Sequence, residues 1–182
     1  GLAVSGKVAL FPWLDPAQVA AEPALARKAG YLNPVFFSVR ALVCFLVWTL
    51  LGAWFFRQSI RQDESGDPKL TVSMQKVAAP GVILFALTLT VASIDFLMSL
   101  EPAWYSTIFG VYYFSGSTLS SFAALVIFAY LLQRSGRLSS VVTTEHYHDL
   151  GKLMFAFTVF WTYIAFSQYM LVWYANIPEE TL

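Results

Sequence analysis

The sequence predicts an all-α integral membrane protein, a helical bundle with four transmembrane helices. Three observations predict it. Hydrophobic residues make up 58% of the chain and charged residues 12%, against about 25% charged in an ordinary soluble domain. Four apolar runs are each long enough to cross a bilayer core, which takes about 20 helical residues. Aromatic residues cluster where those runs end: Trp104, Tyr105, Tyr112, Tyr113, Trp173 and Tyr174 fit an interfacial belt.

Residues 1–33 read as an outer-face loop, with a short surface helix expected over 17–29. The chain opens on Gly1 with no signal-peptide pattern and reads as part of a longer polytopic polypeptide. The first span, about 34–56, follows Asn33-Pro34, proline being accepted in a helix's first turn. The second, about 76–100, carries Pro80-Gly81 near its start, where proline costs little or bends the helix. The stretch from Ala103 to Leu132 is too long for one straight crossing. Its first residues are therefore placed at the interface, and the span at about 110–133. The fourth covers about 149–175. The polar stretch 61–68 between the first two spans reads as a connector.

Charge sets the expected orientation. Arg57, Arg61, Lys69, Lys76, Arg134, Arg137 and Lys152 fall on one side, and only Lys7, Arg27, Lys28 and Arg40 on the other. Cytoplasmic loops carry the excess of Lys and Arg, so the first side is expected to be cytoplasmic. Eleven basic residues balance eleven acidic ones, which gives no support to a nucleic-acid binder.

Redox chemistry is constrained by what the chain contains. Its one cysteine, Cys44, excludes an internal disulfide, a Cys-x-x-Cys-His haem attachment and a cysteine-ligated cluster held by this chain alone. The two histidines, His146 and His148, are two residues apart and cannot face each other across a haem. No cofactor is therefore expected to be bound by this chain; His146, His148 and Asp149 offer a weak His-x-His metal pattern that a helix start also explains, and no metal is expected. Electron transfer would need a diffusible quinol or neighbouring subunits.

Polar residues inside apolar runs mark the candidate sites, because polar groups in lipid are costly and turn toward protein or water. Glu145, His146, His148, Asp149 and Lys152 open the fourth span. They read either as a proton-entry cluster or as a capped helix start with Thr144 or Glu145 at the cap. Further along, Tyr163, Ser167 and Tyr174 share one face, and Thr158, Thr162 and Tyr169 an adjoining one. Such stripes line water wires or join helices by hydrogen bonds. Asp95 and Glu101, at the end of the second span, fit a proton exit or quinol-facing base. Alternatively, Asp95 pairs with Arg40, which lies at a similar depth on the first span. Gly116 with Ser120, and Ser117 with Ser121, form small-xxx-small pairs that allow close helix packing.

Long runs of the chain resemble a known family. FLMSLEPAWYSTIFGVYYFSGS (96–117), HDLGKLMFAF (148–157) and IAFSQYMLVWYANIPEET (164–181), with GYLN (30–33) and RQDESGD (61–67), are similar to the ActF-type membrane subunits of bacterial alternative complex III, relatives of the NrfD and polysulfide-reductase anchors. The resemblance implies a subunit of a quinol:electron-acceptor oxidoreductase in the bacterial inner membrane. Its implied partners are a multihaem cytochrome c, an iron–sulfur subunit and a sister quinol-binding subunit, so quinol, haem c and iron–sulfur clusters belong to the complex. It also implies Asp95, Glu101, His146, His148, Asp149, Lys152 and Tyr163 as proton-path candidates. Two positions depart from the pattern: Ala103 stands where a histidine is expected, and Phe96 where a tryptophan is expected. The expected role is membrane-arm assembly with proton relay along the second and fourth spans. The alternatives are a purely structural anchor and a stand-alone transporter. The transporter would show paired interrupted helices, whereas this chain has only Pro80-Gly81.

Overall fold

The computed structural model describes residues 10–102, 104–138 and 141–175. Lys7 and Ala103, named above, lie outside them, as do residues 176–181 of the third resembling run. Among the described residues there is no strand. The chain forms two short helices, α1 (Pro16–Ala21) and α2 (Pro23–Lys28), and four long ones. These are α3 (Pro34–Ser65), α4 (Pro68–Phe96), α5 (Phe109–Arg134) and α6 (Thr144–Ala175). Single 3-10 turns occupy Pro12–Leu14 and Met98–Leu100. All four long helices have the length and apolarity to cross a membrane, so the protein is a multi-pass membrane protein. At 32, 29, 26 and 32 residues, they extend roughly 39–48 Å, beyond the ~30 Å hydrocarbon core.

The start signals are local. Three helices open with a short polar cap followed by proline: Asp15-Pro16, Asn33-Pro34 and Asp67-Pro68. In each, the cap side chain accepts a backbone N–H of the first turn at 2.9 Å, from Ala17, Phe36 and Lys69 respectively. Those N–H groups have no partner inside the helix, and proline supplies none to satisfy.

Several boundaries differ from the sequence reading, each for a physical reason. The surface helix expected over 17–29 is two helices, because Pro23 interrupts the hydrogen-bond ladder after Glu22. The connector expected at 61–68 is mostly helix: α3 runs on through Arg57, Gln58 and Arg61 to Ser65, and α4 starts at Pro68 rather than near 76. Hydropathy marks the lipid-crossing part of a helix, whereas the helix itself stops only where a residue leaves αR. That residue is Gly66, at φ 65°. Likewise α6 starts at Thr144, five residues before the expected 149, so its polar head is the helix's own first turns. Met98–Leu100 closes the second span as a 3-10 turn, not as α-helix.

The described chain divides into two compact units, at Ser106/Thr107. In the first, α3 and α4 form an antiparallel pair across the Gly66-Asp67 turn. Trp48 Nε1 donates to Thr88 Oγ1 at 2.9 Å, and Cys44 Sγ to the Thr88 carbonyl at 3.5 Å. Gly81 lies against Leu51, whose Cδ2 is 3.7 Å from where a Cβ would stand. At the other end of this pair the N-terminal segment forms the one small hydrophobic cluster among the described residues, built from Trp13, Leu25 and Leu32 with Phe11 and Phe37 packed on it. Phe37 then meets Phe96 edge-on at 5.2 Å.

The second unit is the α5–α6 pair, also antiparallel. Tyr112 stacks on Trp161 with centroids 5.3 Å apart, and Phe122 meets Phe157 at 5.7 Å. At the far end Tyr147 donates to Gln133 Oε1 at 2.9 Å, and Gln133 Nε2 donates to the Val142 carbonyl at 2.9 Å. In both units large apolar side chains such as Leu42, Ile83, Phe128 and Phe155 point outward, while Ser93, Asp95 and Ser115 are buried. Lipid is as apolar as leucine, so helices in a membrane gain little by hiding leucine and gain more by sheltering polar groups.

Candidate functional site

The most constrained group of side chains lies in the first unit, where the start of α3 meets the end of α4. Arg40 and Asp95 form a two-point ion pair. Nε lies 2.6 Å from Oδ2, and Nη2 lies 2.9 Å from Oδ1, with the side chains 10% and 2% exposed. The third guanidinium nitrogen, Nη1, donates to the Tyr31 carbonyl at 3.1 Å. The aromatic rings complete the enclosure. The guanidinium carbon is 3.8 Å from the Tyr31 ring centroid and 4.2 Å from that of Phe36, and the two rings meet edge-on.

Each partner meets a need created by burial. A buried carboxylate is costly unless its lone pairs are filled, and a planar guanidinium fills both oxygens with two parallel hydrogen bonds. The ring faces then attract the cation on sides that water would otherwise cover. Asp95 sits in the last turn of α4, where backbone carbonyls lack intrahelical partners; the Ser99 hydroxyl donates to the Asp95 carbonyl. The phenol of Tyr31, just outside the span, is held above its ordinary value of 10.0, first by burial and then by the negative charge of Asp95. Chemically this is an electrostatic lock. Its carboxylate accepts two charged hydrogen bonds from the one guanidinium.

Glu101 stands apart from this lock. It caps the Met98–Leu100 turn through its backbone N–H and its side chain is exposed. Beside it, Lys28 donates from Nζ to the Pro102 carbonyl and lies 5.5 Å from the Tyr105 ring centroid. Lys28 and Tyr105 border a cavity of about 420 Å³ whose walls include Tyr31, Ile94, Met98 and Trp104.

In the second unit the head of α6 is a capped and exposed helix start. The cap is Thr143, one residue earlier than expected. Its backbone N–H donates to His146 Nδ1 at 3.1 Å, and its hydroxyl lies 2.9 Å from the same nitrogen. This resembles a capping box with histidine in place of the usual Glu or Gln. Asp149 and Lys152 pair at 3.1 Å one turn apart on an exposed surface, and His148 is exposed. Among the described residues no three His, Cys, Asp or Glu side chains gather as a metal site would require.

The stripe along α6 is not gathered into a path within its unit. Tyr163, Tyr169 and Tyr174 are exposed, and Ser167 is half-buried. Thr158 and Thr162 donate to their own helix, to the Met154 and Thr158 carbonyls at 2.8 Å. Both hydroxyls thus give their protons to carbonyls four residues back on the same helix. Of the small residues on α5, Gly116 meets α6: an added Cβ would come within 3.2 Å of Trp161 Nε1. Ser117 is half-buried, Ser120 and Ser121 are exposed, and the hydroxyls of Ser120 and Ser121 donate to the carbonyls of Gly116 and Ser117.

The residues missed by the sequence reading are mostly aromatic. Phe36 stands four residues before Arg40 on the same helix face, a spacing that signals contact. Tyr31, Trp48 with Thr88, Trp161, and Gln133 with Tyr147 carry no such signal, because each depends on which helices lie side by side. No protein-family model matches the chain, and no curated protein is similar to it.

Proposed function

We propose that the chain is a membrane subunit of a quinol:electron-acceptor oxidoreductase of the alternative complex III type, in the bacterial inner membrane, with no redox centre of its own. Its role is to build the membrane arm on which a multihaem cytochrome c, an iron–sulfur subunit and a sister quinol-binding subunit assemble. The family assignment rests on the resembling runs at 96–117, 148–157 and 164–181. The scaffold role rests on one observation above all, the Arg40–Asp95 lock. Asp95, the one buried acid among the described residues, is held in a two-point ion pair enclosed by Tyr31 and Phe36, which suits holding two spans in register. The outward apolar faces of both helix pairs offer surface to lipid and to partner helices. Purifying the tagged protein from its native membrane in mild detergent tests the assignment. Co-elution with c-type haem absorbance and iron–sulfur signals is expected; a lone chain retaining its own transport activity contradicts it.

Proton relay is a second reading, favoured by the position of Asp95, a buried carboxylate in an apolar span beside a phenol. The double variant Arg40→Gln/Asp95→Asn removes both charges while keeping similar side-chain shapes. Reduced quinol-driven proton release in a fully assembled complex is the expected result under relay. Unchanged turnover and proton release would leave the scaffold role alone.

A further inference from the structure

The cavity beside the lock has a composition that the scaffold role does not use. Its volume of about 420 Å³ falls in the range of small-ligand sites, about 300–1,000 Å³. Its interior is apolar, made by Leu32, Ile94 and Met98, and its aromatic rim by Tyr31, Trp104 and Tyr105. At that rim is a single cation, Lys28. Its ammonium gives one hydrogen bond to the Pro102 carbonyl and faces the Tyr105 ring. Both ion pairs among the described residues lie elsewhere, at Arg40–Asp95 and Lys152–Asp149. The amine has three donors, so it retains capacity for an anion, and it has no carboxylate partner among the described residues.

We infer that this cavity is a binding site for an anionic phospholipid, with one acyl chain against Ile94 and Met98 and the headgroup phosphate on Lys28. Three features agree on that ligand. The cation supplies charge complementarity for a phosphate. Tryptophan and tyrosine are the side chains that settle at headgroup level in a bilayer, which places the Trp104–Tyr105 rim where a headgroup lies. The apolar wall is formed by the last turns of a membrane-spanning helix, on the side from which an acyl chain would come. The occupied site would join the N-terminal segment to the end of α4, since Lys28 ends α2 while Ile94 belongs to α4.

The test uses the protein purified from its membrane, exchanged into nanodiscs of equal phosphatidylglycerol and phosphatidylcholine, and read by native mass spectrometry. Wild type is expected to retain phosphatidylglycerol about fivefold over phosphatidylcholine, the preference one lysine near an anionic surface supplies. Lys28→Gln is expected to abolish the preference, Lys28→Arg to keep it, and Ile94→Trp, which fills the cavity without touching the charge, to reduce retention of the lipid. Equal retention of both lipids by wild type, unchanged selectivity in Lys28→Gln, or unchanged retention in Ile94→Trp would overturn the inference. So would displacement by inorganic phosphate at millimolar concentration, which would show a headgroup site without a chain. Displacement by a neutral short-chain quinone, equal in wild type and Lys28→Gln, would overturn it too.

Discussion

At the scale of single residues, Arg40 and Asp95 make the largest difference, because each is tolerable in the membrane only with the other. Removing one partner of a buried pair strands a charge at a cost of roughly 3–5 kcal/mol, whereas replacing both by apolar side chains is often neutral. Asp95→Asn and Arg40→Met are therefore each expected to lower the thermal unfolding midpoint in detergent more than Arg40→Met/Asp95→Leu does. Additive losses in that cycle would contradict the lock. Tyr31 gives a pH-dependent counterpart. Its phenol is raised above 10.0 by burial and by Asp95, so the folded state holds the proton more tightly than the unfolded chain. The stability this contributes is complete below about pH 10 and is lost as pH rises through the higher folded value. Tyr31→Phe is expected to flatten the alkaline loss of stability, and Asp95→Asn to bring the phenol down, read as the difference in phenolate absorbance between each variant and wild type. Arg40 was legible as a charge inside an apolar run, and so was its pairing with Asp95 at similar depth. The ring enclosure was not, since nothing in the order of residues tells which faces of Tyr31 and Phe36 turn toward the guanidinium.

At the scale of elements, Asn33-Pro34 marks the start of α3 as expected, whereas α4 and α6 begin at Pro68 and Thr144, eight and five residues before the expected 76 and 149. Asp15-Pro16, Asn33-Pro34 and Asp67-Pro68 act alike, cap and proline within one turn, but hydropathy reports only the lipid-crossing part of a helix and passes over the polar starts. The ends are set by the first residue that cannot continue, which is why α3 outruns its apolar segment to reach Gly66. With φ at 65°, Gly66→Ala should cost about 1–2 kcal/mol, and Gly66→Asn less; equal losses would argue against the left-handed cap. Between α5 and α6 the tight contact is Gly116 under Trp161. Gly116→Leu should destabilise by about 1–3 kcal/mol through overpacking, and most of that penalty should vanish in a Trp161→Ala background. An undiminished penalty there would move the contact elsewhere. Trp48→Phe, which removes the hydrogen bond to Thr88, is expected to cost only about 0.6 kcal/mol, the average for interhelical bonds in membranes.

At the scale of the whole molecule, the described residues form two helix pairs with many large apolar side chains exposed, and with Ser93, Asp95 and Ser115 among the few buried residues. The sequence by itself determined the class: all-α, four spans, multi-pass in a membrane. Those properties follow from composition and run length, which depend on no partner, because lipid demands that every backbone group be satisfied within its own helix. Only the tertiary structure decided which polar residues act together. Tyr163, Tyr169 and Tyr174 of α6 are exposed, while Thr158 and Thr162 donate to carbonyls of their own helix, so a shared face did not by itself bring them together within this unit. Asp95, by contrast, became a site because Arg40, 55 positions earlier, reaches it across the α3–α4 pair. Helical periodicity fixes which residues share a face. Which face meets which neighbour depends on packing between helices distant in sequence, and that is where the chemistry of this protein is set.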